Sequence, residues 1–181
     1  MITTVVIVVA IVVAAALAYA ASKPDTFKVS RTALIAARPE QIFPLIDDLH
    51  AQSTWSPFEK DPAMKRTHSG SPRGKGAIYA WDGNRQVGAG RITITDSIPP
   101  SKVTLLLDMD RPFKAHNTVD FTLVRTGSDT SVTWTMQGRR PFMGKLMSLF
   151  MNCDAMVGRE FEQGLGKLKR LVETPPAIAA E

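Results

Sequence analysis

The sequence predicts an α+β fold in which a meandering antiparallel sheet lays one face against a long carboxyl-terminal helix, preceded by one apolar helix of membrane-spanning length. Three observations predict it. Nineteen of the first 22 residues are hydrophobic, residues 64–140 alternate with period two between Gly, Pro and Asp punctuation, and the period turns helical after Pro141. Strands in a run, then a helix, with a sheet apolar on one side, is the pattern of α+β architectures.

The amino-terminal run Ile2–Ala21 holds 20 uncharged residues, mostly Val, Ile and Ala. At helical rise it spans about 30 Å, the thickness of a bilayer core. It is read as a transmembrane anchor covering residues 1–22. A cleaved signal peptide is the alternative, since Ala18, Tyr19 and Ala20 have the small-x-small form of a processing site. Lys23, Lys28 and Arg31 follow the run and no basic side chain precedes it. By the positive-inside tendency the remainder is expected in the cytoplasm. Without this run the chain is roughly 38% hydrophobic, an ordinary soluble composition. Intrinsic disorder and a multi-span membrane protein are both excluded.

Residues 23–25 form a linker, and Phe27, Val29, Leu34 and Ile35 open the domain proper, residues 26–173, as a first strand with imperfect alternation. Pro39 with Glu40 starts a helix that carries Ile42, Phe43, Leu45 and Ile46 and that Pro44 keeps short. A loop with Trp55 and Phe58 follows. Glycine and proline then delimit strands at Ala77–Trp81, Arg91–Ile98 and Lys102–Asp110, and Gly127 lies between Ala115–Arg125 and Ser131–Arg139 as a hairpin signal. Val103, Leu105, Leu107 and Met109 share parity, as do Val119, Phe121 and Leu123, then Val132, Trp134 and Met136. Thr104, Asp108, Asp120, Thr122, Thr133 and Thr135 take the opposite, wet face, with His116 in the parity of Asp120.

From Phe142 a helix of roughly 30 residues is expected. With Phe150 at zero, Leu146, Val157, Phe161, Gly164 and Leu168 fall within about 40° of it, and Met147, Leu165 and Val172 lie nearby. Thr174, Pro175 and Pro176 end it, leaving a frayed tail over residues 174–181. Gly158, Gly164 and Gly166 cost about 1 kcal/mol each against Ala, so close packing or cavity room is expected in return.

The segments Arg38–Phe43, Trp55–Phe58, Trp81–Asn84, Val132–Met136 and Phe142–Leu168, in that order, resemble the polyketide cyclase/dehydrase branch of the START-like (SRPBCC, helix-grip) superfamily. The resemblance covers about residues 26–173. It implies a curved antiparallel sheet of about seven strands around the carboxyl-terminal helix, with a hydrophobic ligand pocket between them. It carries no universal catalytic residue onto this chain.

The residues expected to meet a ligand are Tyr79, Trp81, Leu105, Leu107, Phe121, Trp134 and Met136 from the sheet, and Met147, Phe150, Met151, Asp154 and Val157 from the helix. Flexible thioethers at Met143, Met147 and Met151 suit an irregular apolar ligand or ordinary core packing. Asp154 lies within the apolar stripe. It either faces the cavity, where desolvation would make it a general acid or hydrogen-bond donor, or sits at the stripe's edge paired with an arginine. Cys153 forbids an internal disulfide and is expected to be an inert helix-face thiol. Metal-binding spacings, a nucleophile elbow and a phosphate-binding glycine fingerprint are absent from the sequence. No metal or cofactor is implied. The net charge of +5 is spread along the chain, unlike the basic stripe of a nucleic-acid binder.

The leading expectation is a membrane-anchored domain that binds a small hydrophobic or amphipathic molecule, or a lipid. One alternative is a cyclase/dehydrase-type enzyme using a cavity carboxyl group for proton transfer. Another is a tethered protein-interaction domain without a ligand.

Overall fold

A computed structural model describes residues 1–149 and 152–174. Helix α1 (Ile2–Ala21) leads into β1 (Thr26–Ile35), α2 (Pro39–Asp47) and α3 (Leu49–Gln52). Six strands follow as β2 (Lys65–Gly70), β3 (Ala77–Asp82), β4 (Ala89–Ile98), β5 (Lys102–Arg111), β6 (Ala115–Thr126) and β7 (Asp129–Arg139). Helices α4 (Phe142–Met147) and α5 (Cys153–Glu173) close the chain. The seven strands form one antiparallel sheet in the order β1-β7-β6-β5-β4-β3-β2. Strand β1 is therefore the partner of the last strand, and the meander from β2 to β7 runs through consecutive hairpins.

The parity read from the sequence holds across the ladder. Trp134 stands opposite Phe121, Leu105 opposite Val119 and Leu107 opposite Ile92, and these side chains face the helix side. On the other face Thr32 bonds Thr133 and Ser30 bonds Thr135, each at 2.9 Å, and Thr104 donates to Asp120 at 2.7 Å. Strand β1 is continuous, its imperfect alternation explained by Arg31, which occupies an inward position between Val29 and Ala33. The short first helix holds as expected. Arg38 N–H donates to Gln41 Oε1 at 3.1 Å at its start, and Ile42, Phe43 and Ile46 are buried.

The long helix is broken in two. Asn152 caps α5 by accepting from Ala155 N–H at 3.0 Å, so a new helix starts there instead of continuing from Phe142. The expected placements of Phe150 and Met151, and of the tail beyond Thr174, lie outside the described residues. A helical wheel drawn through residue 150 carries no information about α4, which follows its own axis. Met143 and Met147 are accordingly exposed, at 62% and 40%, and serve neither core nor pocket.

Helix α5 lies along β1 and is tied to it at both ends. Arg31 reaches up between Asp154, at 3.0 Å, and Glu162, at 2.8 Å. At the other end Lys169 donates to Leu34 O and Glu173 accepts from Ala36 N–H, both at 2.6 Å. Two glycines permit this seating. A Cβ on Gly158 would overlap the Arg31 guanidinium, and one on Gly164 would stand 2.7 Å from the Trp134 ring and 2.9 Å from Pro57 Cδ. Close packing thus explains these two, whereas Gly166 has only Arg170 within reach, at 3.8 Å.

Because Trp134 and Pro57 are rigid rings, Gly164→Val is expected to lower unfolding free energy by about 1–3 kcal/mol. The exposed ion pair lost in Asp154→Asn is expected to cost under about 1 kcal/mol. Denaturant titration of the two variants checks the ranking.

Candidate functional site

Helix α5 covers β1 and the edge of β7, so the inner face of β3 to β6 is roofed by other parts of the chain. These are α2, which packs on β6, α3, which packs on β3, and the loop 53–64. Trp55, buried at 1% exposure, pins that loop by donating from Nε1 to Leu45 O at 2.9 Å. Asp61 holds the same loop to the β3–β4 turn by accepting from Ala63 N–H at 3.0 Å and Asn84 N–H at 2.9 Å. Between roof and sheet lies a cavity of about 350 Å³, within the size range of small-molecule sites.

Tyr79, Trp81, Leu105, Leu107, Phe121, Trp134 and Met136 all line this cavity, as expected from strand parity. Leu49, Trp55, Phe58, Met64, Val87, Ile92, Met109, Pro112, Val119 and Phe161 complete most of its apolar wall. Met109 and Val119 share the parity of Leu105 and Phe121, so alternation alone could have found them. The roof residues could not be found that way, since nothing in a loop's sequence states which strand it will cover. Trp134 is the centre of the aromatic wall. It stacks on Phe161 at 4.2 Å with 7° between planes, and meets Phe121 at 4.8 Å and Trp55 at 5.7 Å.

Of the helix residues expected here, Met147, Asp154 and Val157 are elsewhere. Asp154 is 58% exposed and bonded to Arg31, because α5 lies over the edge strand and its first turn meets β1 instead of the cavity. Val157 packs half-buried against the core outside the cavity lining. Cys153 is exposed at the first turn of α5, not packed on a helix face. From α5 only Glu160 and Phe161 reach the cavity.

Of the polar groups of the wall, Tyr79 was expected from its strand, whereas Glu59, Lys60 and Glu160 came with no sequence signal. Tyr79 Oη donates to Glu59 Oε1 at 2.6 Å, and Arg66 donates to Glu59 Oε2 from Nε at 2.9 Å. Burial of the phenol, reinforced by its bond to Glu59, pushes the Tyr79 pKa well above its ordinary value, so Tyr79 remains a donor. Lys60 pairs with Glu160 at 2.7 Å across the rim. Two buried atoms of this site, Trp134 Nε1 and Glu160 Oε2, have no hydrogen-bond partner among the described residues. An unpaired buried polar group costs about 1–3 kcal/mol.

Residues 26–173 match the family described as polyketide cyclase/dehydrase and lipid transport. The chain belongs to this family. Solved structures agree on the fold. A protein of Mesorhizobium loti, MLL2253, is 16% identical with a TM-score of 0.62, over 83% of this chain and 99% of that one. A protein of Chromobacterium violaceum, CV1439, is 14% identical with a TM-score of 0.58, over 84% and 100%. A major latex-like protein of Panax ginseng is 12% identical with a TM-score of 0.61, over 83% and 99%. At such identities the likeness is one of helix-grip fold. Among curated proteins, no sequence matches the chain.

Behind the wall, His50 and His68 stack at 3.7 Å, and His68 also lies 4.8 Å from the Tyr79 ring. Burial, then the positive charge His50 would carry beside it, pushes the His68 pKa below its ordinary 6.5, against weaker support from Leu49, Asp48 and Glu59. The unfolded chain therefore binds this proton more tightly. The neutral His68 contribution is complete above pH 6.5 and is lost as pH falls below it. Thermal melts between pH 8 and 5 are expected to show a smaller acid loss in His68→Gln than in the parent.

Proposed function

We propose that the cavity encloses one small, largely apolar molecule bearing oxygen functions, that Glu59 takes a proton from a carbon beside those oxygens, and that Tyr79 donates a hydrogen bond to the oxygen that becomes charged. The observation that carries this reading is the pairing of a 350 Å³ apolar chamber with a carboxylate and a phenol joined in its wall, the carboxylate backed from outside the lining by the Arg66 guanidinium. A sheet curling toward α5 and the loop 53–64 is the shape that would keep water from such a ligand. Trp134 N–H offers an oxygen acceptor the partner it lacks, which recovers the cost of leaving that donor unpaired.

The family description spans both chemistry and lipid carriage. The Glu59 cluster favours the cyclase/dehydrase type, because passive carriage of an apolar molecule needs no carboxylate in the wall. Glu59, as carboxylate, accepts a proton from a carbon acidified by neighbouring carbonyls. As Glu59 takes that proton it loses its hold on the phenol, and Tyr79, which keeps its own proton, turns its O–H from Glu59 to the oxygen on which negative charge develops. Glu59 thus replaces Asp154 as the cavity carboxyl group. Carriage of a lipid without turnover is the second reading, favoured by the dominance of apolar side chains in the wall.

Helix α1 is proposed as a single-pass anchor that holds the domain at a membrane, the domain lying on the cytoplasmic side. Its 20 residues are uncharged, all but Thr3 and Thr4 are hydrophobic, and nearly all are exposed outside the sheet domain. A cleaved signal peptide would leave a mature chain lacking α1, which amino-terminal sequencing of the protein from membranes detects.

Native mass spectrometry of the full chain, exposed to lipid and polyketide extracts, is expected to show a bound small-molecule mass. Leu107→Trp, which fills the chamber, is expected to weaken that binding about tenfold or more, a loss of about 1.4 kcal/mol. Glu59→Gln is expected to keep the bound mass and to abolish turnover of a synthetic poly-β-ketone. Turnover unchanged in Glu59→Gln would leave carriage as the function, and a chamber that takes no molecule from any extract would overturn both readings.

A further inference from the structure

Strand register places several unrelated features at one end of the sheet. Thr26 of β1 pairs with Arg139 of β7, Ala115 of β6 lies opposite Met109 of β5, and Ala89 of β4 pairs with Arg111 of β5. That end therefore collects the entry of the chain from α1, the β3–β4 and β5–β6 turns, and helix α4 leaving β7. The β5–β6 turn lies about 10–15 Å from β1, two to three strand spacings across the sheet, and the β3–β4 turn about 19–24 Å, four to five spacings.

Helix α1 is fastened there. Lys145 of α4 is buried, bonds Asp25 at 2.6 Å and donates to the carbonyl of Ala21, the last residue of α1, at 3.4 Å. Ala20 is fully buried in the same junction. The last turn of α1 and the first residues of α4 thus stand at one level.

Two further observations mark this end. Outside the amino-terminal run, the most exposed large hydrophobic residues of the described chain are Phe113, at 70% in the β5–β6 turn, and Met143, at 62% in α4. Phe142 is exposed beside Met143. Around them Lys23, Arg85, Lys114, Arg139 and Arg140 form none of the described ion pairs, while Asp25 and Asp82 are paired with Lys145 and Arg111. Asp110 is the acid at this end outside those pairs. Apolar side chains ringed by unpaired cations are the composition that anionic lipid headgroups and the acyl chains beneath them accept.

The cavity reaches this same end. Its exposed lining residues are Gln86 of the β3–β4 turn and Pro112 of the β5–β6 turn, the latter adjacent in sequence to Phe113, together with Ser53, Phe58 and Lys60 of the roof loop. We propose that Phe113, Phe142 and Met143 insert into the lipid interface beside α1, so that the cavity rim rests on the bilayer and the apolar ligand passes between membrane and cavity without crossing water. This rests on the reading of α1 as an anchor and adds to it the orientation of the domain and the route of the ligand.

Site-directed spin labelling of the full chain in phosphatidylcholine vesicles containing phosphatidylserine tests both parts separately. In a Cys153→Ser background, Val8→Cys, Phe113→Cys, Met143→Cys and Ile98→Cys are labelled singly. Ile98 lies at the opposite end of the sheet and is half exposed, so it serves as the aqueous control. All four positions are exposed, and the substitutions leave the core intact. Labels at 8, 113 and 143 are expected to be relaxed more by oxygen than by a water-soluble nickel chelate, and the label at 98 the reverse. Lipid exposure at 8 with aqueous exposure at 113 and 143 would overturn the docking and leave the anchor standing. Aqueous exposure at 8 would overturn the anchor and the docking together. Labels at 113 and 143 immobilised yet shielded from both reagents would reveal a protein partner on this surface and equally overturn the proposal.

Discussion

The seating of α5 on β1 and β7 is the contact on which the rest of this structure depends, and it is made by subtraction as much as by attraction. Gly158 and Gly164 remove the side chains that would hold the helix off, and Arg31 and the Trp134 ring occupy the space they leave. The Trp134 stack on Phe161 then contributes about 0.5–1.5 kcal/mol beyond the area it buries. Arg31 sits on the inward face of an edge strand, still partly exposed, and Asp154 and Glu162 beside it fix its direction more than they add stability.

Placing the helix over the sheet's edge has a consequence for the site. The inner face of β3 to β6 is left for the short helices α2 and α3 and the loop 53–64 to cover, and a loop cannot fill a sheet face as a helix does. It is held at separate points: Trp55 bonded to Leu45, Lys60 paired with Glu160, and Asp61 bonded to the β3–β4 turn. The space that remains is the cavity. Glu59, on that same loop, reaches Tyr79 and Arg66 only because the loop folds back across the sheet. The chamber and its polar cluster thus have one origin in how the roof is built.

The same economy links the cavity to the amino-terminal helix. Antiparallel register sends the start of β1 and the ends of β5 and β7 to one end of the sheet, so the chain's entry from α1, the rim of the cavity and the exposed Phe113 and Met143 share a side. Lys145 makes this a fixed relation, since its ammonium joins the last carbonyl of α1 to α4. In the proposed orientation the fold carries its opening toward the source of an apolar ligand.

Alternation of side chains along strands is a local property, and it was legible: Leu105, Leu107, Phe121, Trp134 and Met136 line the cavity because successive residues of a strand point to opposite faces. The apolar length of residues 2–21 and the short helix interrupted by Pro44 are local in the same sense. Helical phase is also local, and it misled where it was carried across Asn152, whose cap starts a new axis. Asp154 does share the inward stripe of α5, but what lies beneath a helix face depends on where the helix is set down, and here it is Arg31 at the sheet's edge. Glu59, Arg66 and Tyr79 lie on a loop and two strands, and His50 meets His68 from a helix and a strand. Spacing along the chain does not encode such meetings, because they are set by the path of a roof over a sheet, and that path is a result of packing.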